Sequence, residues 1–256
     1  MYGYGLGYTN RRSGKTNAFT KSDCSYYFDG SNNYLDMGKA AQSLLLGSNK
    51  QWSIRILFRP LTGSKNCFGL SIWNTTGQQR AVSLNLDSNT GGGNKLFLGF
   101  SSSGSSVDGN FTSTGTINDN DWNDVVITYN AGLVNVYLNG VSFAGTSTTI
   151  PSTIFSSSAN TLIGAVNAGN NVNEASYINM VSIANEIWTV TDAANMWNNG
   201  TPRLASEVAS DVVNEWYFDT DTFDGTNFTV IDTVGSDNGT SSGMISSDKD
   251  CNENPY

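Results

Sequence analysis

The segment QWSIRILFRP at 51–60 alternates without a break. Trp52, Ile54, Ile56 and Phe58 fall on one side of an extended chain, and Ser53, Arg55, Leu57 and Arg59 on the other. A period of two marks a strand with one face turned to a core, and it recurs along most of the sequence. In AVSLNLD (81–87), Val82, Leu84 and Leu86 alternate with Ser83 and Asn85, and NKLFLGF (94–100) follows a glycine-rich turn. DVVITYN (124–130) and LVNVYLNG (133–140) are separated only by Ala131-Gly132, the spacing of a β-hairpin. TLIGAVN (161–167), INMVSIAN (178–185), VNEWYFDTD (213–221) and NFTVIDTV (227–234) add further strands. One helix is predicted near 191–199, with Thr191 as N-cap, Asp192 in the first turn, and Gly200 and Pro202 as stop signals. About a dozen short strands and one helix predict an all-β fold, an antiparallel two-sheet jelly-roll sandwich.

Composition supports many turns. Charged residues make up 14% of the 256, against a usual level of about 25%. The polar surface is instead supplied by uncharged residues, including 32 Asn and 27 Gly, which suit tight connections. Residues 1–95 hold eleven Lys/Arg against four Asp, a net of +7, whereas residues 96–256 hold two against eighteen acids, a net of −16. Residues 1–22 read as a flexible basic Gly/Tyr-rich arm, carrying Tyr2, Tyr4, Tyr8, Arg11, Arg12 and Lys15 as candidate assembly contacts. Residues 23–256 read as a single domain. An overall pI near 4.3 argues against nucleic acid as the partner.

Several chemistries are excluded. Without histidine there is no Ser-His-Asp triad, Cys-His pair or His-containing zinc site. Cys24, Cys67 and Cys251 are odd in number and scattered, so they are expected to be reduced apolar fillers in a chain made in a reducing compartment. No apolar run reaches the roughly 18 residues of a membrane span. MYGYGLGYTNRRSGK lacks the apolar h-region that classical export requires.

Five segments in order resemble the concanavalin A-like sandwich superfamily, in its laminin G-like and pentraxin-like branch. They are YYFDGSNNYLDMG (26–38), QWSIRILFRP (51–60), DWNDVVITYNAGLVNVYLNGV (121–141), TLIGAVN with INMVSIANEIWTVTDAANMWNNGTP (161–202), and WYFDTDTFDGTNFTVIDTVGSDNGTSSGM (216–244). The tail is similar to that of phage structural proteins carrying this domain, through Asn199-Gly200-Thr201-Pro202, Trp216, Asp224-Gly225, the segment from Asp232 to Thr240, and Met244. This resemblance implies a bacteriophage virion component, a capsid decoration, fibre or tail protein. Its partners would be other virion proteins and cell-surface glycans, and it would form a homo-oligomer. The alternative is a secreted bacterial lectin or carbohydrate-binding module, which would be extracellular.

The superfamily includes glucanases, whose catalytic strand reads Glu-x-Asp-x-x-Glu. None of the five glutamates here stands in that arrangement, and Glu215 with Asp219 is the nearest pair, so no enzyme activity is expected. Relatives in this branch bind calcium, but Ala165-Val166-Asn167-Ala168 follows Gly164 where the pentraxin loop carries acids. Calcium is left to oxygen-rich loops, among which Asp219, Asp221 and Asp224 are the candidate ligands. Trp73, Tyr129, Tyr177, Trp188 and Trp197 are possible stacking faces, of which Trp73, Tyr177 and Trp188 are the candidate glycan-binding rings, with Asn170 and Asn171 as amide partners. Trp52 and Trp122 are expected in the core.

Overall fold

A computed structural model describes residues 23–63, 66–88, 93–167, 170–172 and 175–255. The proposed arm residues Tyr2, Tyr4, Tyr8, Arg11, Arg12 and Lys15 lie outside them. The strands of the first half are β1 (Ser25–Phe28), β2 (Tyr34–Asp36), β3 (Gly47–Ser48), β4 (Gln51–Pro60), β5 (Cys67–Asn74), β6 (Gln79–Ser88), β7 (Lys95–Phe100), β8 (Gly109–Ser113) and β9 (Asn123–Asn130). After the turn come β10 (Leu133–Leu138), β11 (Val141–Ser142), β12 (Gly145–Ser147), β13 (Thr153–Ile154), β14 (Thr161–Ile163), β15 (Ala165–Asn167), β16 (Asn170–Val172) and β17 (Ser176–Ala184). The chain closes with β18 (Val212–Tyr217), β19 (Thr222–Phe223), β20 (Phe228–Val230), β21 (Gly239–Ser242) and β22 (Lys249–Asp250). The helices α1 (Gln42–Leu45) and α2 (Val190–Trp197) interrupt this series.

Two antiparallel sheets carry the fold. One runs β11-β10-β9-β4-β17-β1-β22, with β18 also on β17, and the other runs β12-β8-β7-β6-β5-β14-β2-β21-β20-β19. This is the all-β two-sheet sandwich that the alternating segments predict. Trp52, Ile54, Ile56 and Phe58 enter the core between the sheets together with Val82, Leu84, Leu86, Leu96, Leu98 and Phe100. Tyr129 lies there too, stacked on Trp52 with ring centres 5.0 Å apart, and its hydroxyl donates to Pro151 O at 2.7 Å. Burial pushes its phenol up to about 12.

Strand β4 departs from simple alternation, because its second face is buried as well. Ser53, Arg55 and Leu57 lie beneath a layer made by α2 and the segment after it. Arg55 is fully enclosed and pairs with buried Asp124, Nε–Oδ1 2.9 Å and Nη2–Oδ2 2.7 Å. It also donates through Nη1 to Arg203 O and through Nη2 to Met196 O. One guanidinium therefore reaches a carbonyl at the end of α2 and another in the segment after it, and ties that layer to the sheet.

The helix begins two residues before the expected Thr191. Thr189 is the N-cap, its Oγ1 accepting from Asp192 N at 3.3 Å while Asp192 Oδ2 accepts from Thr189 N at 2.7 Å. This reciprocal capping box outcompetes a cap at 191, which would sacrifice both bonds. Asparagine explains the sharp turns. Asn49, Asn66, Asn94, Asn120, Asn139, Asn198 and Asn199 all adopt left-handed φ values, which asparagine tolerates better than most side chains.

The cysteine expectation is corrected for two of the three. Cys24 and Cys251 form a disulfide, and only Cys67 is the buried free thiol foreseen. The register explains it: Ser25 opposes Asp250 on antiparallel β1 and β22, which brings the flanking residues 24 and 251 face to face although 227 positions separate them. No helix among the described residues is long and apolar enough to cross a membrane.

Candidate functional site

The outer face of the larger sheet carries an aromatic groove over β5, β6 and β7. Antiparallel register aligns Phe68 on β5, Asn85 on β6 and Phe97 on β7 in one row across the strands, and Ser71, Ser83 and Gly99 in the next. Small side chains in the second row keep the floor low. A Cβ on Gly99 would meet Phe97 Cε1 at 3.5 Å and Val107 at 3.8 Å, so any larger side chain would grow into the groove. Trp73 and Val166 complete the lining of a cavity of about 240 Å3. Strand β15, which carries Val166, is fastened above β5 by Ser71 Oγ, which donates to Ala165 O. The Arg80 guanidinium stands 6.0 Å above the Trp73 ring and steadies it from one side.

Asn85 is the polar centre of this groove. It is only 6% exposed, its Nδ2 donates weakly to Asn66 Oδ1 at 3.3 Å, and its Oδ1 has no hydrogen-bond donor among the described residues. An unpaired buried amide oxygen costs about 1–3 kcal/mol, which a ligand hydroxyl would recover. The residues that sequence reasoning missed here are Phe68, Ser83, Asn85, Phe97 and Gly99. Phe97 had a readable signal, an aromatic ring at the outward position of KLFLGF between buried Leu96 and Leu98.

The sequence-derived candidates do not converge. Trp73 lines the groove, and Asn170 and Asn171 stand on β16, which pairs with the β15 strand beside it. Trp188 is 2% exposed within the apolar cluster under α2, where no sugar ring could reach it. Tyr177 is half-buried on the other sheet, its ring 5.1 Å from Tyr27 and 4.8 Å from the Arg59 guanidinium. Burial and nearby Glu253 and Asp250 raise its phenol above the ordinary value. Trp122, expected in the core, is half-buried beside the same Arg59, and Trp197 packs partly against Met180 and Leu204.

The proposed calcium ligands do not fit the ion. Asp219 Oδ1 accepts from the amides of Asp23 and Cys24, each at 2.9 Å. Asp221 accepts from Ile231 N at 2.8 Å and Tyr26 OH at 2.9 Å, while Asp224 caps the turn amides of Thr226 and Asn227. Lys249 Nζ fills the place between them, donating to Asp219 O at 3.0 Å and Asp221 O at 3.1 Å. Among the described residues no three His, Cys, Asp or Glu side chains converge as a metal site. Burial drives the Asp221 carboxyl up to about 6 despite these bonds.

The Glu215–Asp219 pair is equally committed. Glu215 is fully buried and accepts from Ser182 Oγ at 2.9 Å, Ala205 N at 2.7 Å and Ser206 Oγ, and Asp219 lies beyond the end of β18. These carboxylates serve as internal hydrogen-bond acceptors for the chain itself.

Comparison with known proteins agrees with this architecture. Residues 29–194 match a laminin G-type family model described as the concanavalin A-like lectin/glucanases superfamily, and the chain belongs to that family. A search of curated proteins finds no match. Among solved structures, a candidate carbohydrate binding protein from Bacteroides ovatus superposes with a TM-score of 0.57 at 17% identity, over 88% of this chain and 60% of that one. The chain thus spans about three fifths of that protein's length. A heptameric SAP-like pentraxin from Limulus polyphemus matches with a TM-score of 0.50 at 18% identity, over 88% of this chain and 98% of its own. The CBM40 domain of a Ruminococcus gnavus IT-sialidase, bound to α2,3-sialyllactose, matches with a TM-score of 0.50 at 15% identity, over 68% of this chain and 98% of its own. The fold is therefore lectin-like.

Proposed function

We propose that this chain is an extracellular carbohydrate-binding module that holds a sugar in the Phe68–Trp73–Asn85–Phe97 groove. The observation that carries the reading is the unpaired, buried Asn85 Oδ1 set between aromatic walls. Aromatic faces accept the C–H side of a pyranose, and an amide oxygen accepts from its hydroxyl. At about 240 Å3 the cavity is smaller than the roughly 300–1,000 Å3 of a typical ligand pocket, which suits one ring of a glycan whose remainder lies in solvent. Such contacts are weak singly, and assembly into a homo-oligomer would multiply them. The Bacteroides carbohydrate binding protein and the sialyllactose-bound Ruminococcus domain support carbohydrate as the ligand class, and the pentraxin's heptamer supports assembly. The Cys24–Cys251 disulfide supports an oxidising, extracellular setting.

A virion role rests on the tail residues between Asn199 and Met244, and the neighbours favour the extracellular module over it. The test is a glycan array followed by calorimetry with Trp73→Ala and Asn85→Leu. Each substitution should weaken the best ligand by about tenfold or more, corresponding to about 1.4 kcal/mol. Unchanged affinity in both folded variants, or an array blank at millimolar sensitivity, refutes the assignment.

A further inference from the structure

A second and larger cavity, about 820 Å3, opens away from the aromatic groove, between the α1–β3–β4 segment and the loop after β20. No aromatic side chain among the described residues lines it. Its walls carry Lys39, Lys50, Asn49, Asn185, Ser43 and Ser236, with Leu44 and Val213 as small apolar patches. We propose that this cleft is a separate saccharide site for an anionic sugar, one bearing a carboxylate or a sulfate.

Both walls are fixed before any ligand arrives. Asp232, 6% exposed, gathers the loop around itself: its carboxylate accepts from Glu215 N, Val234 N, Gly235 N, Asp237 N and Asn214 Nδ2. Gly235 is required there, because a Cβ would stand 2.5 Å from Asp232 Oδ2 and 2.6 Å from Val213 O. Trp216 Nε1 donates to Asp237 O at 3.0 Å and pins the loop to β18. On the opposite wall, Ala41 and Asn49 hold left-handed φ values of 54° and 52°, and Lys50 Nζ donates to Ser43 O at 2.7 Å across the bend. Preformed polar walls spare a ligand the cost of ordering them.

The unspent hydrogen-bonding capacity defines what the cleft would hold. Lys39 Nζ donates to Ser158 O and Ala159 O, and Lys50 Nζ to Ser43 O. Of the six N–H donors on two ammonium groups, three remain uncommitted among the described residues. The side chains of Asn49, Asn185, Ser43 and Ser236 make no hydrogen bond to described residues and are free to pair with hydroxyls. Asp237, the one carboxylate in the lining among the described residues, already accepts from Asn214 Nδ2 at 3.1 Å. Lys39 and Lys50 line the cleft while Asp237, and Asp232 behind Gly235, are spent on donors of the loop, so in a chain of net charge −9 attraction must come from the lysine pair and not from the body as a whole. Amides and hydroxyls would bind the sugar's hydroxyls, and the ammonium groups its anion.

The test is calorimetry of the full chain with trigalacturonic acid, 6-sulfolactose and neutral lactose. At least one charged probe should bind about tenfold or more tightly than lactose, and raised salt should erode that advantage. Which charged probe binds separates carboxylate from sulfate. Lys39→Gln with Lys50→Gln should remove the preference, whereas the charge-retaining Lys39→Arg with Lys50→Arg, the remote Lys95→Gln, and Trp73→Ala should keep it. Equal affinity for charged and neutral probes overturns the proposal, as does a preference that survives the double glutamine variant. Loss of charged-probe binding in Trp73→Ala alone would move the anion to the aromatic groove and likewise overturn it. Loss of neutral-sugar binding in Trp73→Ala bears on the groove only, so the two sites fail separately.

Discussion

Asp221 offers a direct check on the electrostatics of the β19–β22 corner. Its carboxyl is 8% exposed and is pushed from 3.8 up to about 6, with burial as the largest cause. A folded-state value above the unfolded one means that ionisation opposes folding. This group therefore destabilises above pH 6, and stability returns as pH falls from about 6 towards 4. A rise of about two pKa units at 1.36 kcal/mol each amounts to about 3 kcal/mol at pH 8. Asp221→Asn removes that charge while Oδ1 can still accept from Ile231 N. Tyr26 OH must then turn to accept from the new amide, and losing its bond to a carboxylate costs about 1 kcal/mol. The net gain is about 1–2 kcal/mol at pH 8, a rise in Tm of about 2–8 °C for a chain of this size. Thermal unfolding of both proteins from pH 8 to 4 should show the variant's advantage shrink through pH 6 and turn into a deficit of about 1 kcal/mol near 4, where only the hydrogen-bond cost is left. An advantage independent of pH, or a variant that melts lower at pH 8, refutes the reasoning.

Asp124→Leu leaves the Arg55 guanidinium buried without its anion and should cost about 3–5 kcal/mol by urea unfolding, while Arg55→Met added to it should recover most of the loss. Cys24→Ser with Cys251→Ser opens a loop spanning 227 positions, which the chain-entropy relation values at about 5 kcal/mol, read as a lower Tm. Thiol titration of the denatured native chain should give one free thiol before reduction and three after it. Gly99→Val grows into the groove with only ordinary contacts at its Cβ, so it should abolish sugar binding while leaving the melting curve nearly in place.

Local patterns were readable where neighbouring residues settle the outcome. Strand β4 spans Gln51–Pro60 as its alternation indicated, and the Ala131-Gly132 hairpin follows directly from small residues between two alternating runs. Features set by distant partners were not. Cys24 and Cys251 become neighbours only through the β1–β22 register, and the second buried face of β4 depends on α2 folding back over it. The helix starts from the cap Thr189 and not from Thr191, and its sequence signal is Asp192, three residues after Thr189. The groove lay hidden for a related reason. Phe68, Asn85 and Phe97 belong to three strands, and only lateral pairing makes them one surface. The aspartates 219, 221 and 224 suggested a cation from sequence, whereas folding spends them on backbone amides and supplies Lys249 as the positive charge.

The bond between Cys24 and Cys251 also has a mechanical meaning. A pull applied to the backbone on the outer sides of Cys24 and Cys251 enters at adjacent points on β1 and β22 and passes through the covalent bridge. The hydrogen-bonded strands between them carry almost none of that load. Extension of the chain on either side of the bridge would therefore leave both sheets unstretched.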